Sequence, residues 1–315
     1  MKRELLDGVT RIVTHGNCPD GLASAMVLRD VLPAAKIEFV NHNTDNYDNL
    51  KATPGMIFCD IVPPLHRIDE FIDVNAIVLD HHISAKDIVL RFGERGVYAS
   101  EHDEPGVSGA VLAFREVWLP LSYRSYIAKG EAEYFAMLAG IRDTWQKHSE
   151  LWDESNYQSS ILMFYDPDHW LNNSGFLSDK DYELGKIIYD NRIKKAKKIA
   201  KNCVRFSYNG RDIAVFNDSD KITSDVADLL KNENISIVAG FNLIESDNDT
   251  NLPKIIFSLR SCDDIDVSEL AQWINPLGGG HTNAAGFSWN IKEDIDSPFT
   301  FFKDKVIKFL SECDV

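Results

Sequence analysis

The chain has no CxxC pair, no internal repeat and no long low-complexity tract. It also has no apolar run near the roughly 20 residues that span a bilayer. Its five cysteines (Cys18, Cys59, Cys203, Cys262, Cys313) are scattered and odd in number, which argues against a cysteine-rich zinc site and fits free thiols in a reducing compartment. Positive charge is scarce: 33 Lys and Arg against 49 Asp and Glu give a net charge of −16. That balance opposes a sequence-independent grip on long nucleic acid, which rests on many Lys and Arg contacts to phosphate. No aromatic-rich RNA-binding motif is present either. A small phosphorylated ligand stays open, because a few Arg can hold a phosphate and divalent cations offset local carboxylates. The start, Met1-Lys2-Arg3-Glu4, leads into a mixed segment without the apolar stretch of a signal peptide. The expectation is a cytoplasmic protein that does not enter a membrane.

What is present is ordinary in bulk and patterned in detail. At 315 residues, 44% of them apolar, the chain is comfortable as two domains with separate cores. In the first half strand-like and helix-like segments alternate. Val9–Thr14, Lys36–Val40, Gly55–Asp60 and Ala76–Asp80 read as strands, and a helical pattern opens at Asp20-Gly21 and stops near Pro33. Glu131 to Asp143 reads as a buried helix. This alternation implies an α/β fold whose N-terminal sheet is mostly parallel and flanked by helices. From 185 to 205, Lys and Arg occupy one face of a helical pattern and Ile193, Ala196, Ile199, Ala200 and Cys203 the other. A solvated amphipathic linker helix is the expected role. A smaller C-terminal α/β domain follows, with strands at Arg211–Phe216, Ile235–Phe241 and Lys254–Leu259. Helices are expected at Thr223–Leu230, capped by Thr223 or Ser224, and at Val267–Ile274. Residues 278–286 read as a glycine-rich turn with a helix start at Ala284-Ala285. The boundaries are 1–184, 185–205 and 206–315.

Polar clusters sit at the ends of the predicted strands. Asp80-His81-His82 ends the apolar run Ala76-Ile77-Val78-Leu79. Imidazoles there can ligate a transition metal, with a carboxylate orienting one of them. Asp60 ends Met56-Ile57-Phe58-Cys59. It can cap a helix, or its two oxygens can bridge two ions roughly 3.5–4 Å apart. His15 and Asp20 flank the tight loop Gly16-Asn17-Cys18-Pro19, where Asp20 also fits a helix cap. Asp143 leaves a helix rich in small residues and can equally pair with Arg142. Gly278-Gly279-Gly280-His281 offers backbone N–H groups to an anion and an imidazole to a phosphate oxygen or leaving group. In open α/β sheets ligands bind at the C-terminal strand edge, so His15, Asp60 and Asp80 to His82 are expected to meet at one rim. His42 follows a strand, and His66, His148 and His169 read as surface residues.

The ordered set HxxxxDG, strand-D, strand-DHH, helix-D and LRS…GGGHxxAAG, running from His15 to Gly286, resembles the DHH phosphoesterase superfamily, in particular its members with the DHH-associated C-terminal domain. The resemblance implies two lobes joined by a linker helix, with a two-ion manganese centre in the first lobe and magnesium as the alternative metal. Metal positions fall on His15, Asp20, Asp60, His81 and Asp143, with Asp60 bridging. His82 falls on the imidazole that lies beside the ions and contacts substrate, with Asp80 and Asp60 beside it in the catalytic group. Arg260, in Phe257-Ser258-Leu259-Arg260-Ser261, and Gly279, Gly280 and His281 fall on substrate-binding positions. Ser108-Gly109-Ala110 resembles a family helix start and carries no assigned chemical role. One departure stands out. Asp20 is the only acid in its loop, and Asn17 stands where an acid is expected, which implies a weaker hold on one ion.

The implied activity is metal-dependent hydrolysis of phosphodiester or phosphomonoester bonds in short oligonucleotides or nucleotides, exonuclease-like in kind. A homodimer is left open. Two other readings remain: a nucleotide-binding sensor with weakened or lost catalysis, motivated by Asn17, and a pyrophosphatase or polyphosphatase of the same superfamily. The last ranks lower because it is expected to lack the GGGH loop and to carry a more cationic pocket.

Overall fold

A computed structural model describes residues 1–16, 18–42, 44–100, 104–172, 175–244, 253–276, 278–291 and 297–312. The chain divides into two units, Met1–Tyr189 and Asp190–Val315. Among the described residues no helix is long and apolar enough to cross a membrane.

The first unit is built on five parallel strands: β1 (Arg11–His15), β2 (Lys36–Val40), β3 (Met56–Cys59), β4 (Ile77–Asp80) and β5 (Gly96–Tyr98). Their order is β2-β1-β3-β4-β5. β3 and β4 are buried at every residue, as short continuous apolar runs in a doubly covered sheet should be. Successive residues feed opposite cores. Ile12, Ile57 and Leu79 pack with the helices Pro19–Val31 and Lys129–Asp143, while Val13, Phe58 and Val78 pack with Phe71 and Val89 on the other face. The chain leaves β1 toward β2 on one side and returns to β3 on the other. The β1/β3 boundary is therefore a topological switch point, where the C-terminal strand ends form a crevice. His15 ends β1, and Asp60 follows β3.

The junction between β1 and helix Pro19–Val31 is tight. Pro19 suits the first helical position, and the Cys18 sulfur accepts the Gly21 N–H as the helix cap. A Cβ on Gly21 would overlap the His15 carbonyl oxygen, so glycine there sets how closely the helix approaches the strand. The Thr14 hydroxyl donates to the Gly21 carbonyl, closing the same turn at 3.0 Å.

The second unit has a six-stranded sheet in the order β10-β11-β9-β8-β7-β6. Its strands are β6 (Val204–Tyr208), β7 (Arg211–Asn217), β8 (Ile235–Ile244), β9 (Lys254–Ser261), β10 (Gly279–His281) and β11 (Ala284–Asn290). Only β7 and β8 pair in parallel, through the crossover helix Thr223–Leu230. Separate apolar cores cover the two faces.

Three local expectations are corrected. The basic helix runs from Asp179 to Asn202, with the unit boundary inside it, and Val204–Tyr208 leaves it to pair with β7. Alternating burial in the pairing strand outweighs the helical charge pattern there. Two of its cations form ion pairs, Lys195 with Asp220 at the surface and Arg192 with the buried Asp225. The expected helix start at Ala284-Ala285 is instead β11, in which Ala285 and Phe287 are buried at a period of two and pair with β9. Gly279 to Gly286 thus forms a hairpin, and a Cβ on Gly280 would overlap the Ala284 backbone. Helix Thr223–Leu230 is held at its start by Asp218, whose carboxylate accepts from the Ile222 and Thr223 N–H groups and the Thr223 hydroxyl, rather than by Thr223 or Ser224.

Gly21→Ala is expected to destabilise the protein by about 2–3 kcal/mol, since the added methyl must push a helix off a buried strand. Urea unfolding followed by tryptophan fluorescence measures it, and an unchanged midpoint would contradict the close approach.

Candidate metal centre

The C-terminal strand ends of the first unit gather a continuous set of donor atoms. Three groups each have their donor atoms within 4.8 Å of one another: His15, Cys18 and Asp60; Asp60, His81 and His82; Asp20, His81 and Asp143. Asp60 belongs to the first and second groups, and His81 to the second and third. The structure thus brings together all five residues expected as metal ligands, with His82 beside them.

Asp60 sits just past β3 with φ +63, a left-handed conformation that Asp tolerates better than most residues. Its backbone N–H donates to the Leu79 carbonyl, which ties it to β4. It does not cap the following helix. One carboxylate oxygen lies 3.2 Å from His81 Nε2, and the other accepts from the Cys18 thiol at 3.1 Å. His81 Nε2 also lies 3.4 Å from Asp143 Oδ2.

Asp20 takes no part in capping its own helix. Its carboxylate accepts from the Ser108 hydroxyl and the Gly109 N–H, both at 2.7 Å, and from the Ala110 N–H at 3.2 Å. A Cβ on Gly109 would come within 2.5 Å of the Asp60 Cβ and 2.8 Å of Asp20 Oδ2. The Ser108-Gly109-Ala110 stretch, given no role from sequence, therefore positions two carboxylates at once. Asp80 is also a positioning residue: its Oδ1 accepts both the His82 backbone N–H and Nδ1–H at 2.8 Å. With Nδ1 turned to Asp80, Nε2 is the nitrogen for a metal or a phosphoryl oxygen.

The electrostatics are those of crowded acids and imidazoles. Burial and then the charge of Asp20 push the Asp60 carboxyl well above its ordinary range, against the His81 hydrogen bond. Asp143 is raised by lost hydration and then by Asp20. For His81, burial opposes protonation, yet the Asp60 hydrogen bond and the Asp143 and Asp60 charges outweigh it and raise the ring to about 10. His82 is raised to about 9 in the same way, burial being overcome by Asp80 and Asp60. His15 goes the other way, to about 4, through burial and then repulsion from His42 and His82. It is neutral at neutral pH and ready to ligate.

These residues fit divalent cations. Buried carboxylates that raise one another's pKa, next to imidazoles, are a donor set that cations stabilise. Sequence reasoning missed Cys18, which it treated only as a restraint on the loop; its position one residue before Pro19 was the available signal. The ring centroid of His42 lies 6.3 Å from that of His15, and burial lowers the His42 pKa. Asn17, on which the expectation of a weaker ion rests, lies outside the described residues.

The expected substrate residues lie in the second unit. Arg260, on β9, donates Nε–H to the Ser224 hydroxyl at 2.9 Å and Nη1–H to the Leu259 carbonyl at 2.7 Å. Gly279 and Gly280 lie on β10. His281 pairs with Ala284 and Ala284 with Arg260, so the three backbone positions form one row across the sheet. The side chain of His281 lies outside the described residues.

Residues 213–310 match the DHHA1 domain family. No curated protein sequence matches the chain. Among solved structures it is similar to RecJ in complex with Mn²⁺ from Thermus thermophilus, with a TM-score of 0.57 and 15% identity over 98% of this chain and 53% of that one. RecJ from the same organism in complex with Mg²⁺ gives 0.52 at 15% identity, over 98% and 51%. The chain therefore spans about half of RecJ. An exopolyphosphatase-related protein from Bacteroides fragilis gives 0.53 at 15% identity, over 98% and 94%. These likenesses establish the fold.

In the metal-free protein His81 and His82 keep protons that the unfolded chain releases near 6.5. Their stabilising contribution is complete below that pH and is lost as pH rises toward about 9 and 10. Thermal stability without metal is expected to fall over that window. Mn²⁺ is expected to stabilise the protein more at alkaline than at neutral pH, because it replaces protons on the ligands. Scanning fluorimetry with and without Mn²⁺ checks both; a metal-free midpoint that rises across the window would contradict the His81–Asp60 pairing.

Proposed function

We propose, from the premise that this chain belongs to the DHH superfamily and carries a DHHA1 domain, that it is a divalent-metal-dependent phosphoesterase acting on short oligonucleotides or nucleotides. The observation that carries the proposal is the sharing of Asp60 and His81 among three overlapping donor groups. His15, Asp20, Asp60, His81 and Asp143 would hold the ions, with Asp60 placed to serve more than one donor group. Manganese is the proposed metal and magnesium the alternative; both accompany RecJ in its structures. Bound ions would supply Lewis-acid stabilisation of phosphoryl oxygens and a lowered pKa for an attacking water.

The chain's own residues do the rest. Asp60 turns one oxygen toward His81 and the other toward Cys18, so one carboxylate serves both sides of the centre. Asp20 is fixed by two N–H groups and a hydroxyl, which holds its charge in place without side-chain freedom. His82, aligned by Asp80, presents Nε2 to a phosphoryl oxygen. In the second unit Arg260, Gly279, Gly280 and His281 are proposed to hold the phosphate side of the substrate. A net charge of −16 favours a small substrate over a long polymer.

The test is hydrolysis by the Mn²⁺-loaded protein of a panel containing dinucleotides, a nucleoside 3′,5′-bisphosphate, pyrophosphate and polyphosphate. Turnover is expected on the nucleotide members. His82→Ala is expected to lower kcat about 10²–10⁴-fold, and Asp60→Asn to abolish both turnover and the second bound ion. Binding without turnover would identify a sensor, and cleavage confined to pyrophosphate or polyphosphate would move the substrate class. Wild-type turnover in Asp60→Asn would put the centre elsewhere.

A further inference from the structure

The turn into helix Pro19–Val31 delivers a thiol into the donor cluster. Cys18 Sγ lies with the donor atoms of His15 and Asp60 inside 4.8 Å, and 3.1 Å from Asp60 Oδ2. The other described cysteines behave differently. Cys59, Cys203 and Cys262 each donate to a main-chain oxygen, of Gly109, Ala200 and Ala227 in turn. Cys18 directs its S–H at the carboxylate that two donor groups share.

We infer that Cys18 is itself a metal ligand, completing with His15 and Asp60 a mixed sulfur, nitrogen and oxygen ion site that is softer than its all-nitrogen-and-oxygen neighbour. The inference rests on the two-ion reading above and adds the selectivity of that centre. On ion binding the thiol proton passes to solvent, a sulfur–metal bond forms, and Asp60 Oδ2 exchanges its S–H donor for the ion. The sulfur keeps its other partner, the Gly21 N–H at 3.1 Å, at the positive end of a 13-residue helix. That end of a helix favours a thiolate, against burial and the charges of Asp60, Asp20 and Asp143, which hold the thiol protonated until an ion binds. Asp20 is the only acid in the loop, so a thiolate supplies the second anionic group there. The remaining groups, Asp60 with His81 and His82 and Asp20 with His81 and Asp143, contain only nitrogen and oxygen donors. Such donors suit Mn²⁺ and Mg²⁺, whereas sulfur favours Zn²⁺, Co²⁺ and Cd²⁺. The centre is thus unequal, with a thiophilic position and a hard one.

Cobalt titration of the full chain, read by absorption, tests this without activity. Visible d–d bands report bound Co²⁺, and a near-ultraviolet sulfur-to-cobalt charge-transfer band reports Cys18. The wild type is expected to show both. Cys18→Ser, which keeps a good helix cap, is expected to lose the charge-transfer band and keep d–d bands. Cys18→Asp, which keeps an anionic ligand, is expected to do the same, while Cys262→Ser leaves both signals unchanged. In competition, Cys18→Ser is expected to lower Cd²⁺ affinity more than about tenfold and Mn²⁺ affinity by much less. Bound cobalt with no charge-transfer band in the wild type, or a band that survives Cys18→Ser, would overturn the inference and leave the two-ion reading standing. No d–d bands at all would overturn both.

Discussion

The organisation of the first unit turns on the carboxylate of Asp60. It is buried at the end of a buried strand, in a left-handed backbone conformation that costs about 1–2 kcal/mol relative to the ordinary regions. That geometry is retained because the residue is held on every side. Its N–H bonds to Leu79, one oxygen meets His81, the other accepts from Cys18, and Gly109 leaves room for its Cβ. An Asp that merely capped a helix would need none of these. The conformation also aims the carboxylate into the β1/β3 crevice, where the parallel sheet leaves its strand ends open. Backbone strain and functional placement are here the same fact.

Around that group the site trades desolvation against charge. Burial alone would leave acids and imidazoles uncharged, yet His81 and His82 are driven toward protonation while Asp60 and Asp143 are driven away from ionisation. All four shifts run upward, so without an ion the network holds extra protons, and divalent charge can replace several of them at once. The devices around the network remove freedom: Asp80 fixes a ring, the Ser108–Ala110 turn fixes Asp20, and Gly21 fixes the helix that carries it.

Much of this could be read before any coordinates. Buried parallel strands are short continuous apolar runs, so Ile57-Phe58-Cys59 and Ile77-Val78-Leu79 announced themselves, and the acids that end them pointed to the strand edge. The misreadings have local causes. Asp20 looked like a cap because Asp commonly is one, but Cys18 took that place and released the carboxylate to Ser108 and Gly109, 88 and 89 residues away in sequence. No local pattern encodes that contact. Val204 and Arg205 were absorbed into a helix because the Lys and Arg pattern runs on to Arg205, and only pairing with β7 decides their state. Ala284-Ala285 mimicked a helix start because small residues suit helices. Their alternation with Phe287 and Trp289 becomes visible only when β9 lies alongside.

The second unit complements this chemistry in kind. Where the first unit concentrates carboxylates, the second holds a guanidinium whose surroundings lower its pKa, burial acting first and the charges of Asp218 and Asp225 opposing it. Arg260 spends Nε–H on Ser224 and Nη1–H on the Leu259 carbonyl, both neutral acceptors, so the planar fork is oriented by the protein before any ligand arrives. A desolvated, pre-aligned guanidinium gains more from an anion than a solvated one, because little hydration and little side-chain freedom remain to be lost. In the same row of the sheet Ala284 keeps β11 thin, and in the adjacent row Gly280 lets β10 approach it closely. On the proposed reading, the two glycines of β10 keep this hairpin thin: a bulkier one would hold its own backbone away from the phosphate that Arg260 is proposed to meet.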